Sequence, residues 1–154
     1  MGLVGFETRK AFTKRLTRRA NRLGIQNVEL IRGDARKLLP VLFEPKSISA
    51  VHVQFPDPWW KKRHQRRRLI DGYFVTLVHN LLAPGGLVFL RTDVLDYGRT
   101  MMETFEDGTH RFENVAGQGS FIDDDGLGVP SNRERRYLAA GTPVYRLVYK
   151  SSNF

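Results

Sequence analysis

Ile48-Ser49-Ala50-Val51-His52-Val53-Gln54-Phe55-Pro56-Asp57-Pro58-Trp59-Trp60-Lys61-Lys62-Arg63-His64-Gln65-Arg66-Arg67-Arg68 is the stretch on which the reading of this chain turns. The apolar run from Ile48 to Phe55 is that of a buried strand, with Ile48 to Gln54 as its body. Pro56 and Pro58 then restrict the backbone on either side of Asp57 and preorganise its carboxylate. Two tryptophans follow, and after them six Lys or Arg in eight residues. In open α/β sheets ligands bind at the carboxyl ends of strands. An acid, an aromatic pair and dense positive charge at such an end suit a base-bearing, phosphate-rich partner. The competing reading is a solvated basic surface or a localisation signal, which leaves the Trp pair and the flanked acid without a purpose.

Outward from this strand the elements alternate, which predicts βα units and a mainly parallel sheet. On the N-terminal side, Leu3 to Phe6 is a short strand and Thr8 to Leu23 a helix that Gly24 stops. Ala11, Phe12, Leu16, Ala20 and Leu23 mark the inner side of that helix, and Arg9, Lys10, Lys14, Arg15, Arg18, Arg19 and Arg22 its outer side. Val28 to Ile31 is the second strand. Gly33-Asp34 opens a helix through Leu39, where Pro40 is expected to weaken or kink its end. On the C-terminal side, Ile70, Phe74, Leu77, Val78, Leu81 and Leu82 keep a helical period. Pro84-Gly85-Gly86 reads as a turn, Leu87 to Leu90 as a fourth strand ending at Thr92-Asp93, and Leu95 to Phe105 as a helix. Phe112 to Val115 is a short strand, Gln118 to Pro130 a mobile Gly- and Asp-rich loop, Ser131 to Ala140 a helix and Val144 to Tyr149 the last strand. No repeat or linker divides the chain.

The whole chain has 154 residues, 41% hydrophobic and 27% charged, which bounds it to one globular domain with a core. A net charge of +9 favours nucleic acid or another anionic surface and says nothing of fold. No apolar run approaches the roughly 20 residues of a membrane span, and Met1 to Gly5 lacks the basic-then-apolar pattern of a signal peptide. With no cysteine, disulfides, Cys-zinc sites and thiol catalysis are excluded, and a reducing cytosol fits.

Several acids stand at predicted strand ends, each with two readings. Glu7 is placed to hydrogen-bond a ribose or to favour a helix dipole. Asp34 is a site residue or an N-cap. Asp93 is a site residue or the cap of the helix that begins near Val94. Ser131-Asn132-Arg133-Glu134 is a literal capping box. One of Trp59 and Trp60 is expected in the core and the other stacked on a base. His64 has no metal-ligand spacing to His52, His79 or His110, and reads as a phosphate or base donor. Four acids at strand ends beside one basic aromatic patch share no single structural excuse.

Together these residues resemble the bacterial tRNA (guanine-N7-)-methyltransferase family. Its pattern FPDPWxKxRHxKRR is met by Phe55 to Arg68, with Arg66 at a lysine position and Trp60 at a position the pattern leaves open. Leu82-Ala83-Pro84-Gly85-Gly86, Thr92-Asp93 and Ser131 to Glu134 (Ser131 standing for the usual Thr) support it. The resemblance implies a Rossmann-like class I methyltransferase sheet, α/β and mainly parallel with an antiparallel C-terminal strand, in a single domain over residues 1–154. It implies methyl transfer from S-adenosyl-L-methionine to N7 of a guanine in the tRNA variable loop, in the cytoplasm, with no membrane partner. Glu7, Asp34 and Ala35 would bind the cofactor, and Asp57 would lie at the active centre beside cofactor and guanine. Lys61, Asp93, Ser131, Asn132, Arg133 and Glu134 would hold the target nucleotide, and Arg63, His64, Arg66, Arg67 and Arg68 would grip RNA.

The resemblance also exposes a departure. No Gly-rich loop precedes Gly5, so the chain as given starts at the family's second strand and the sheet is expected to be incomplete on its N-terminal side. A complementing N-terminal segment or a homo-oligomer would then cover the open strand. A non-catalytic RNA-binding module derived from such an enzyme is the alternative reading.

Overall fold

The computed structural model describes residues 2–152, apart from the side chain of Lys62. The chain divides between Phe43 and Glu44 into two compact units.

The first unit holds β1 (Leu3–Glu7), α1 (Lys10–Arg22), β2 (Val28–Arg32) and α2 (Ala35–Leu42). β1 and β2 pair in parallel from Leu3↔Val28 to Glu7↔Arg32, as a helical crossover requires. Gly24, at φ 65°, takes the left-handed position just past α1. The expected inner side of α1 is not covered: no residue of this helix is buried, and Phe12, Leu16 and Leu23 are all exposed. The Phe12 ring is flanked by the guanidinium groups of Arg9 and Arg15, 4.0 and 4.7 Å from its centroid, and the cations shield it in place of apolar neighbours. Pro40 does not end α2. Its missing N–H removes one hydrogen bond, while Phe43 N donates to Leu39 O at 3.1 Å and closes the last turn beyond it.

The second unit holds a four-stranded sheet in the order β3 (Ile48–Gln54), β4 (Leu82–Thr92), β6 (Tyr145–Ser151), β5 (Phe112–Asn114). β3 and β4 run parallel, joined through a 3-10 turn (Lys62–Arg67) and α3 (Gly72–Leu81). After β4 come α4 (Leu95–Phe105), β5, α5 (Asn132–Ala139) and β6. β6 is antiparallel to both β4 and β5. Fold class therefore agrees with expectation: α/β, with parallel crossover pairs and an antiparallel last strand. The Pro84-Gly85-Gly86 turn is drawn into β4 as an irregularity. Register passes from Ile48↔Leu82 to Ala50↔Leu87, Gly85 has φ 72°, and a Cβ on Gly86 would stand 3.1 Å from Ser49 O.

Helical periodicity is realised at Phe74, Leu77, Val78 and Leu81 of α3, all buried, whereas Ile70 lies before the helix and Leu82 opens β4. Asp71 starts that helix by accepting from Phe74 N at 2.8 Å. Val88, Leu90, Tyr97, Met101, Phe105, Leu147 and Tyr149 complete the core, with Phe105 stacked on Tyr149 at 4.7 Å. No helix among the described residues is long and apolar enough to cross a membrane.

Candidate active site

Asp57 is held by what precedes and follows it. Phe55 N donates to Arg91 O at 2.8 Å, which ties the end of β3 to β4. Phe55 then takes φ 50° and Trp59 φ 45°, so two bulky residues occupy the left-handed region around Pro56-Asp57-Pro58. Such conformations cost about 1–3 kcal/mol each and persist where the surroundings over-determine them. Here Phe55 is buried against Tyr137 (5.6 Å, edge-on), and Arg68 Nε donates to Pro58 O at 2.8 Å. Asp57 is exposed and carries no hydrogen bond or ion pair from the described side chains, and its charge is felt at the buried Tyr97 of α4.

Asp93 follows the neighbouring parallel strand. Gln54 is in register with Arg91, so Asp57 and Asp93 leave the same edge of the sheet. Asp93 is not the cap of α4: Thr92 Oγ1 accepts from Val94 N at 3.1 Å, and the carboxylate of Asp93 instead lies 3.7 Å from Arg133 Nη2. Arg133 stacks over Phe55 and Tyr137, 5.0 and 5.3 Å from their ring centroids. α5 is thereby laid across this edge. Of the residues the sequence singled out, Asp93 and Arg133 are in contact, and Arg133 reaches the Phe55 ring two residues before Asp57.

The capping box of α5 is real, with Ser131 Oγ accepting from Glu134 N at 3.1 Å and Glu134 Oε2 accepting from Ser131 N at 3.3 Å. Glu134 does more than cap. It is 2% exposed and receives Arg91 Nη1 on one oxygen and Arg146 on the other, at 2.6 and 3.1 Å. Arg91 also forks onto Asp125 at 2.6 and 2.7 Å. Arg91 and Arg146 are directly opposed across β4 and β6, an arrangement that repels until a carboxylate bridges it. Burial raises the Asp125 pKa, but the hydrogen bonds from Arg91 and Leu127 N together with the charges of Arg91 and Arg146 outweigh it and hold the carboxyl below its ordinary value. The sequence analysis missed this network. Its signal was a charge, Arg91, directly continuing the apolar run Leu87 to Leu90.

Asp125 belongs to the loop expected to be mobile, and half of that loop is fastened. Gly119 N donates to Glu106 Oε2 at 2.8 Å, Ile122 N to Arg146 O at 3.0 Å, and the Phe121 ring lies against Gly98 of α4, where a Cβ would stand 3.1 Å away. Beyond Asp125 the chain passes through Gly126 and Gly128, both at positive φ, and an exposed Val129 before Ser131.

In the first unit, Glu7 and Asp34 lie at the carboxyl ends of β1 and β2, joined by Gly33 N donating to Glu7 O at 3.1 Å. Glu7 accepts from Arg9 N at 2.9 Å and from Arg9 Nε at 3.1 Å; burial pushes its pKa up, but these bonds prevail and leave it lowered. Asp34 is the N-cap of α2 and accepts from Arg36 N at 3.0 Å, with Ala35 as the first helical residue. Both carboxylates retain acceptor capacity, the chemistry that a ribose diol and an adenine amino group need.

The basic stretch forms the 3-10 turn, with Lys61, Arg63, Arg66 and Arg67 exposed and His64 half-buried. Neither Trp59 nor Trp60 lies in the core, contrary to the expectation for one of them: Trp59 is half-buried, edge-on to His64 at 5.9 Å and beneath Arg67 at 5.3 Å, while Trp60 is 70% exposed.

A protein-family model described as "Putative methyltransferase" matches residues 1–147. A protein of Myxococcus xanthus named tRNA (guanine-N(7)-)-methyltransferase is 48% identical over 143 residues, covering 93% of this chain and 68% of that protein. The chain belongs to this methyltransferase family. A relative of the same name from Anaeromyxobacter dehalogenans is 48% identical over 145 residues, 94% of this chain and 71% of its own. The chain thus spans about two thirds of the length of these family members. Among solved structures, an rRNA methylase from Streptococcus thermophilus superposes with a TM-score of 0.62 at 16% identity, covering 99% of this chain and 74% of the other, and so shares the family's fold.

Proposed function

We propose that this chain transfers a methyl group from S-adenosyl-L-methionine to the N7 nitrogen of a guanine in the tRNA variable loop. The observation that carries the proposal is the placement of Asp57: an exposed carboxylate with no bond from the described side chains, framed by prolines between left-handed Phe55 and Trp59, at a sheet end shared with Asp93 and bordered by the basic turn. We take residues 1–154 as one methyltransferase domain of the cytoplasm, because the family match runs unbroken across the boundary between the two units.

S-adenosyl-L-methionine supplies an electrophilic methyl carbon on a sulfonium. Glu7 would hold the ribose hydroxyls and Asp34 with Ala35 the adenine, and their acceptor-only carboxylates fit that half of the cofactor. Guanine N7 is already an acceptor with a free lone pair, so no residue has to remove a proton from it. The work of the protein is alignment, which is worth about 7–11 kcal/mol when the reacting atoms are well placed. Asp57 accepts from the donor edge of the guanine, fixes the ring and offsets the positive charge the ring acquires. Lys61, Asp93 and the Ser131 to Glu134 segment hold the nucleotide. Within that segment Arg133 faces the edge, whereas Glu134, enclosed by Arg91 and Arg146, positions the helix that presents it. Arg63, His64, Arg66, Arg67 and Arg68 hold the RNA backbone.

The test is Asp57→Ala, assayed with tRNA and radiolabelled cofactor. Methyl transfer should be lost while tRNA binding largely survives; undiminished transfer removes Asp57 from the mechanism. Salt-sensitive tRNA binding by the unaltered chain, without methylated product at any cofactor concentration, would identify a non-catalytic RNA-binding module instead.

A further inference from the structure

A cleft of about 400 Å³ lies between the basic 3-10 turn and the first turns of α4, lined by Pro58, Trp60, Gln65, Arg68, Asp96 and Tyr97 among others. It contains none of the residues proposed above to hold the target guanine. It adjoins that site, since Pro58 follows Asp57 and the charge of Asp57 is felt at Tyr97, while Asp93 pairs with Arg133 on α5. From this cleft we infer a second nucleotide subsite, in which an unpaired base of the same RNA stacks on Trp60 and donates its exocyclic amino group to Asp96. The inference rests on the proposed action on RNA and adds the place where a neighbouring nucleotide is held.

The volume is at the lower end of small-ligand sites, suited to a single nucleotide. Trp60 offers an indole that is 70% exposed, an unusual cost for so large an apolar surface unless a partner covers it. Trp59 before it takes a left-handed turn and is itself held by His64 and Arg67, which sets where the backbone delivers Trp60. The family pattern leaves the position of Trp60 open, so this platform is a feature of the chain itself. Tyr97 and Arg68 make a firm floor: the guanidinium lies 4.8 Å over the tyrosine ring while its Nε is bound to Pro58 O. Asp96 is exposed in the first turn of α4, and Thr100 bonds only its backbone oxygen, at 3.0 Å. Its carboxylate accepts and cannot donate, so it favours bases with an amino edge over uracil. Arg63, Arg66 and Arg67 at the exposed rim supply the charge that a phosphate strand requires. Unstacked bases read by an aromatic face and one polar edge are the usual mode of single-strand RNA recognition.

The experiment measures equilibrium binding of labelled tRNA, oligo(C) and oligo(U) to the full chain and to Trp60→Ala, Trp60→Phe and Asp96→Ala, with circular dichroism to verify folding. Loss of a stacking base should weaken tRNA binding of Trp60→Ala about 5- to 150-fold, with the salt slope unchanged, and Trp60→Phe should recover most of it. Oligo(C) should bind more tightly than oligo(U), and Asp96→Ala should abolish that preference. If Trp60→Ala binds tRNA as the unaltered chain does, or Phe fails to rescue, or cytosine is not preferred, the subsite is refuted while the proposed function stands. If the unaltered chain binds no tRNA, both fall.

Discussion

Replacing Arg91 by Met keeps the length of the side chain and removes its charge. The guanidinium is 5% exposed and is shared by Asp125 and Glu134, whose carboxylates are 4% and 2% exposed. Met therefore leaves Asp125 buried with no cation in contact and Glu134 with Arg146 alone. Removing one partner of a buried pair costs about 3–5 kcal/mol, against roughly 0–1 for a surface pair. For a chain of this size each kcal/mol moves the melting midpoint by about 2–4 °C, so a fall of about 6–20 °C is expected. Urea denaturation at pH 7, followed by far-UV circular dichroism, measures it directly. The pH dependence supplies a second reading. In the unaltered chain the Asp125 pKa is depressed, so its contribution is present above its ordinary value of 3.8 and is lost as pH falls through the folded value. In Arg91→Met burial dominates and the folded pKa rises above the unfolded one. The variant's deficit should then shrink as pH is lowered from 7 toward 4. A loss below about 1 kcal/mol at pH 7 with an unchanged m-value, or a deficit that grows on acidification, would refute the account of a buried, charge-balanced network.

Ser131→Ala should cost about 1 kcal/mol by thermal or urea unfolding, because it removes the acceptor for Glu134 N at the start of α5. The triple variant Arg63→Ala, Arg66→Ala, Arg67→Ala should bind tRNA more weakly and lower the slope of log K against log salt by about 2–3, measured by titrations at several salt concentrations. In the unaltered chain the melting midpoint should decline as pH drops below the ordinary values of Glu7 (4.5) and Asp125 (3.8), since both are held lower in the folded state. Asp125→Asn should flatten the lower part of that decline in a calorimetric pH series.

The sequence was most legible where one physical signal ruled alone. Ile48 to Gln54 and Leu95 to Phe105 have the bounds their apolar patterns imply, and Asp57 stands at the strand end its flanking prolines indicated. It was less legible where two signals met. Pro84-Gly85-Gly86 has turn chemistry, yet the ladder with β3 resumes at Ala50↔Leu87, so the turn becomes a bulge. The spacing of Phe12, Leu16 and Leu23 describes an amphipathic helix but not what covers it, and Arg9 at its N-cap and Arg15 within it flank the Phe12 ring. Least legible was Arg91, whose partners lie 34 and 43 residues later in a loop and a helix. Such pairs are set by β4 meeting β6, and no local pattern announces them. The same contact explains why Glu134, which the sequence read as half of a capping box, is also buried.

Asp125 divides its loop into a span fastened to the fold and one that begins in local turns, with Gly126 N donating to Asp124 Oδ1 at 2.9 Å and Leu127 N to Asp125 Oδ1 at 3.3 Å. Gly126 to Pro130 runs between that anchor and the first turn of α5, with two left-handed glycines and an outward valine. It is where limited proteolysis should nick the folded chain and where a fluorophore or short peptide can be inserted with least disturbance. The two cut ends would remain pinned, one through Asp125 and the other through Glu134, to the same arginine, so a nicked preparation should still run as one folded particle.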